Sequence, residues 1–147
     1  MSTISIEIEM FTISRKTQYG LRAVFALTKV YAKGPVSSVK IAENESIPHH
    51  FLVQILTLLQ KGGVVESWPG RGGGYALARR PEQITVGEVV ELIDGPVEGL
   101  AGGGTGEVLG EVWAAVDRVL DGTTLRDVCE REDAARGEGL GWSNWEI

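Results

Sequence analysis

A mainly α chain carrying one small β hairpin is the fold class this sequence predicts, and three observations carry it. Between Ile47 and Pro81, in IPHHFLVQILTLLQKGGVVESWPGRGGGYALARRP, apolar residues recur at Phe51, Leu52, Ile55, Leu56 and Leu59, a helical spacing that buries one face. Two strand-like runs follow, Val64 to Trp68 and Tyr75 to Ala78, joined by a tight turn from Pro69 to Gly74. Farther on, Val108, Leu109, Val112, Trp113, Val116, Val119 and Leu120 form a second helical stripe. A helix with a polar outer face, joined to a hairpin with arginine at its tip, is the layout of a winged helix-turn-helix. The second stripe adds a long C-terminal dimerisation helix, because a compact winged helix leaves little room for it and symmetric pairing is the common solution.

The elements are justified in chain order. Ile4, Ile6, Ile8 and Met10 alternate with polar neighbours, as in a strand, although Met10 also reads as a natural start behind an upstream extension. Ser14 is a good N-cap for a helix running to about Lys33, where Gly34-Pro35 ends it. That helix is apolar nearly all round, so it should be sandwiched between neighbours. Ser37 or Ser38 caps a short second helix from Val39 to Asn44, and Glu45-Ser46-Ile47 forms the turn without the glycine frequent there. Pro48 suits the first turn of the next helix, and Gly62-Gly63 ends it. Beyond the hairpin Thr85 caps a helix through Ile93, and Gly95 to Gly106 is too rich in glycine for a regular element. Asp121-Gly122 stops the long helix, and Thr123 or Thr124 caps a last one through Leu125, Val128 and Cys129. The reading divides the chain into an extension (1–12), a winged helix-turn-helix domain (13–81), a linker helix, loop and dimerisation helices (82–134), and a tail (135–147) with Trp142 and Trp145.

Charge separates along the chain. The net charge of −6 argues by itself against a nucleic-acid partner. From Ser14 to Arg80, however, ten Lys and Arg stand against only Glu43, Glu45 and Glu66, while from Pro81 onward four basic residues meet fifteen acids. A basic half of this kind supplies salt-dependent attraction to phosphate. The 147 residues hold no apolar run near the length of a membrane span, so a cytoplasmic protein is expected. The one cysteine, Cys129, excludes an internal disulfide framework; on an apolar helix face it suits a buried packing role.

Double-stranded DNA is the partner these residues suggest. Ser38, His49, His50, Val53, Gln54 and Thr57 lie where base edges or backbone would be met, and Lys61 continues the outer row. Gln pairs with adenine, and Val53 suits a thymine methyl. Arg71 is the strongest single candidate, since a guanidinium on a glycine turn enters a narrow minor groove or grips a phosphate. Arg15 and Lys16 sit within reach of phosphate, although plain solvation accounts for either one equally well. Arg79 and Arg80 would contact phosphate or pair with the acidic half. The adjacent histidines lack an evident third ligand, so no metal site is assigned. The glycines of GRGGG are superficially like a dinucleotide loop, but that motif needs a helix after it, and Tyr75-Ala76-Leu77 reads as strand. No catalytic constellation can be assembled, so an enzyme is not expected. A winged-helix adaptor that binds protein instead of DNA is the remaining alternative.

Four runs resemble one family: ISRKTQYGLRAV, IPHHFLVQIL, GRGGGYALARRPEQITVGEVVELIDG and the helix containing Val112-Trp113 are similar to the Rrf2 family of bacterial transcription regulators. The likeness covers Ile13 to about Val128, and GGGYALAR followed by ITVGEVV is its most specific part. It implies a homodimeric winged-helix DNA binder, a repressor or activator, with a long dimerisation helix. Some members sense iron-sulfur status, nitric oxide or redox state through a [2Fe-2S] or related cluster, and others control cysteine metabolism without one. Cluster-binding members place three cysteines in the loop before the dimerisation helix, often with a histidine three residues before its tryptophan. Here GPVEGLAGGGTGE has no cysteine, and Gly110 stands three before Trp113, so no cluster is expected, and a cluster-sensing regulator with non-standard ligands is the second alternative beside the adaptor. A metabolite or partner protein is the expected signal. Members often carry arginine where Pro69 stands here, so Arg71 would take that part from a shifted position.

Overall fold

The computed structural model describes residues 14–95 and 106–136. The N-terminal alternation, most of the glycine-rich loop and the tail with Trp142 and Trp145 lie outside the described residues. Within them the order is α1 (Arg15–Lys29), α2 (Ser38–Glu45), α3 (His49–Lys61), β1 (Val65–Trp68), β2 (Gly74–Leu77), a 3-10 turn (Pro81–Gln83), α4 (Val86–Asp94), α5 (Gly106–Gly122) and α6 (Leu125–Arg136). The expected class, mainly α with a small hairpin in winged-helix order, is the one observed.

Side-chain caps start four helices. Ser14 accepts from Thr17 N, Ser37 from Lys40 N and Thr85 from Glu88 N, each satisfying a donor the helix leaves orphaned. At α6, Thr124 Oγ1 accepts from Asp127 N while an Asp127 carboxylate oxygen accepts from Thr124 N, a reciprocal capping box. These bonds hold the Asp127 carboxyl below its ordinary value.

α1 ends at Lys29, four residues before the expected stop. Tyr31 N bonds to Thr28 O and Lys33 N to Val30 O, and Ala32 takes a left-handed φ of 67°, so the chain turns while Val30 is drawn into the core. The early turn delivers Val36 to the hairpin, where it exchanges backbone bonds with Tyr75 at 2.9 and 2.8 Å. Ser46, in place of the usual turn glycine, also adopts a left-handed conformation (φ 54°, ψ 47°) between α2 and α3. Arg22 steadies that junction by donating to Glu45 O at the end of α2.

Leu52, Ile55, Leu56 and Leu59 of α3 are wholly buried with Leu27, Ile41, Val64, Ile84 and Leu125. Each such side chain contributes on the order of 2 kcal/mol relative to exposure. α1 crosses this core between α3, α4 and α6, the sandwiched position its apolar circumference predicted. β1 and β2 pair antiparallel, Val65 with Leu77 through Trp68 with Gly74. Thr85 and Thr124 form a bridge that ties the start of α4 to the start of α6.

Candidate nucleic-acid interface

α3 has two unlike sides. Its buried row is fully desolvated, whereas His49, His50, Gln54, Thr57 and Lys61 are exposed and Val53 is half-buried. Thr57 donates its hydroxyl to Val53 O at 2.8 Å. The helix carries no acid in its first turn. An exposed helix face of hydrogen-bonding side chains, supported on an inflexible apolar core, suits groove reading.

Phe51 was expected on the buried side and is not there: it is 43% exposed, with its ring 4.3 Å from that of His50. At 3.6 residues per turn it lies about 90° from the centre of the buried stripe, the edge of the apolar face rather than its middle. Val39 of α2 is also exposed, at 54%. Val39, Ala42, Glu43, Ile47 and His49 border a shallow groove between α2 and α3. Phe51 and Val39 therefore belong to the outer surface, for which the sequence reading names Val53 as the one apolar member. The edge position of Phe51 was the signal available for it.

Ser38 and His49 are brought together, Oγ to Nε2 at 2.9 Å, across the turn of the helix-turn-helix. Arg71 is exposed on the turn between the strands, where Gly70 (φ 90°) and Gly72 (φ 78°) supply left-handed backbone and Gly73 N closes onto Gly70 O. The hairpin is docked close to the start of α2, since a Cβ at Gly74 would stand 2.3 Å from Val36 O. Arg15 is exposed and Lys16 half-buried in the first turn of α1. That turn is anchored by Asp94, whose carboxylate accepts from Ser14 Oγ at 2.8 Å and Thr17 Oγ1 at 2.5 Å.

Of the two arginines with open roles, Arg79 is structural: it donates to Gly63 O, Gln83 O and the Glu88 carboxylate, fastening the wing to α4. Arg80 is exposed. Lys29 likewise pairs with Asp133 of α6, so part of the basic half is consumed in holding the acidic half.

On α5, Val112 and Val119 are exposed at 40% and 63%, and Val116 and Leu120 are half-buried. Nothing is described for the side chains of Val108, Leu109 and Trp113. Cys129 is buried, its thiol 3.8 Å from Phe25 O, and burial pushes that thiol up from its ordinary value. A protonated, enclosed thiol is a poor metal ligand. Among the described residues no three His, Cys, Asp or Glu side chains gather as a metal site, and none of the helices is long and apolar enough to cross a membrane. The chain's single cysteine and its surroundings do not fit a thiolate-held cluster.

This fold defines the class, a winged helix-turn-helix, with the exposed side of α3 as its candidate DNA surface. The family described as Rrf2, iron-dependent transcriptional regulator, matches residues 13–131. The chain is 35% identical to the HTH-type transcriptional regulator CymR of Bacillus subtilis over 132 residues, 82% of this chain and 91% of that one. Among solved structures it is similar to IscR of T. potens, with TM-score 0.76, 34% identity and coverage of 85% and 90% of the two chains. It is likewise similar to the structure of the B. subtilis CymR, described as a global cysteine regulator, with TM-score 0.74 and coverage of 82% and 97%. The chain belongs to the Rrf2 family.

Proposed function

We propose that this regulator works in the cytoplasm as a homodimer on a two-fold DNA site, placing α3 of each copy in a major groove and Arg71 beside it. The observation that carries the reading is the contrast across α3: zero exposure at Leu52, Ile55, Leu56 and Leu59, and exposure at His49, His50, Gln54 and Thr57. A core helix would not leave that polar row wet, and a purely adaptor surface would not need it beside an arginine-tipped hairpin. The exposed valines of α5 support pairing, because Val112 and Val119, two turns apart with half-buried Val116 between them, need a cover. Two linked heads also bind a two-fold site far more tightly than one. The signal is not an iron-sulfur cluster in this reading, which the single enclosed cysteine supports; a metabolite or partner protein replaces it.

Selection of genomic fragments by the purified chain tests this. A recovered inverted repeat, bound with an affinity that falls steeply with salt, is expected. Fragments recovered without any shared sequence, or no salt-dependent binding, would favour the adaptor instead. Sedimentation should give a dimer that Val119→Glu dissociates. An iron-sulfur absorption band after anaerobic isolation would overturn the cofactor part.

A further inference from the structure

The hairpin has a second face, and its composition is unusual for the basic half of the chain. Glu66 and Trp68 project from the same side of β1, as residues two apart on a strand must. Their partners across the ladder are Ala76 and Gly74, so the opposing strand leaves that side unfilled. The end of α1 and the turn after it close the space, giving a half-open cavity of ≈ 270 Å³ bordered by Leu27, Val30 and Tyr31 as well as Glu66, Trp68 and Ala76. Among the described residues Glu66 is the one charged side chain bordering it. Trp68 Nε1 donates to Glu66 Oε1 at 3.0 Å, which holds the carboxylate at the edge of the indole, leaves the ring face free of it, and engages only one of its oxygens.

We propose that this cavity binds a small organic cation bearing an ammonium group. A carboxylate with an indole and a phenol around an apolar floor is the combination that recognises such a ligand, the rings by cation–π attraction and the carboxylate by charge attraction, joined by charge-assisted hydrogen bonds where the ligand carries N–H. The volume suits a compact ligand. Neutral apolar molecules would strand the carboxylate against them, and anions would be repelled.

The cavity is also well placed to act on the DNA face. One wall is α1 and its turn; the other is the hairpin. Beyond that turn the chain reaches Val36, whose bridge to Tyr75 holds the hairpin on the helix-turn-helix. A ligand filling the space fixes one angle between the wing and α1, and so changes how Arg71 is presented relative to α3. This regulatory part rests on the DNA-binding reading above; occupancy of the cavity does not.

Titration of the full chain with tetramethylammonium and butylammonium chloride, against sodium chloride at matched ionic strength, tests occupancy without DNA. The Trp68 indole N–H resonance, assigned by its loss in Trp68→Phe, should shift saturably with the ammonium probes and not with sodium. Glu66→Gln should weaken binding about tenfold, and Ala76→Leu, which fills the cavity, should abolish it. Both altered residues border the open side of the hairpin, and an unchanged far-ultraviolet spectrum checks that the fold survives. A linear shift, or saturable binding indifferent to Glu66→Gln and Ala76→Leu, would overturn the site. In the second arm, saturating probe at fixed ionic strength should change affinity for a selected DNA fragment at least about threefold in the parent chain, and not in Ala76→Leu. An unchanged affinity would overturn the coupling while leaving both occupancy and DNA binding standing.

Discussion

Ser38 Oγ and His49 Nε2 lie 2.9 Å apart, joining the first turn of α2 to the first turn of α3 across the left-handed Ser46. The bond holds an exposed imidazole in one orientation at the head of α3, the helix proposed to enter the groove. Ordering a side chain before DNA arrives reduces what binding must later spend on it. Ser38→Ala should therefore lower affinity for a selected operator about threefold to tenfold, the worth of one exposed hydrogen bond, with an unchanged melting temperature. Fluorescence anisotropy with labelled duplex measures it, and an unaltered affinity would remove the pair from the interface.

Arg71→Ala is expected to weaken DNA binding about tenfold and to reduce the slope of log K against log salt by about one, as loss of one phosphate contact does. The side chain is exposed on a turn, so the dimer and the thermal transition should not change. Equal affinities across the whole salt series would exclude Arg71.

Gly74→Ala tests how the wing is seated. The added methyl would meet Val36 O at 2.3 Å and Ser37 N at 2.7 Å, both backbone atoms that cannot swing away. A loss of about 2–4 kcal/mol in unfolding free energy is expected from the forced separation. Urea denaturation reads it directly. A loss below about 0.5 kcal/mol would mean that the hairpin is not held against the start of α2.

Cys129 should react slowly with iodoacetamide in the native chain at pH 8 and at an ordinary thiol rate in urea, because burial both encloses the thiol and keeps it protonated. A thiol raised in the folded state favours folding at all pH values below its unfolded pKa. That contribution is lost as pH rises through the folded value, so stability should decline above about pH 9, the ordinary value from which it is raised. Cys129→Ala should flatten the part of that decline due to the thiol. Equal alkylation rates in native and unfolded chains would contradict the burial.

Much of this protein was decided locally and was legible in its residues. Ser14, Ser37 and Thr85 cap the helices they precede, because a hydroxyl there meets an amide three residues on whatever the rest of the chain does. The buried row of α3 follows from a 3.6-residue repeat, and the arginine-tipped turn from glycines that accept left-handed backbone. Contacts between distant segments leave no such repeat. That Phe51 faces outward, that Arg79 clamps the wing to Glu88 rather than meeting phosphate, that Arg22 closes the end of α2, and that α1 stops at Lys29 so that Val36 can reach Tyr75 were each set by packing. The order of residues alone determined the elements and the polar outer face of α3. Only the assembled tertiary structure decided which cations remain available to it, because a guanidinium or ammonium goes to whichever acceptor the fold brings within reach.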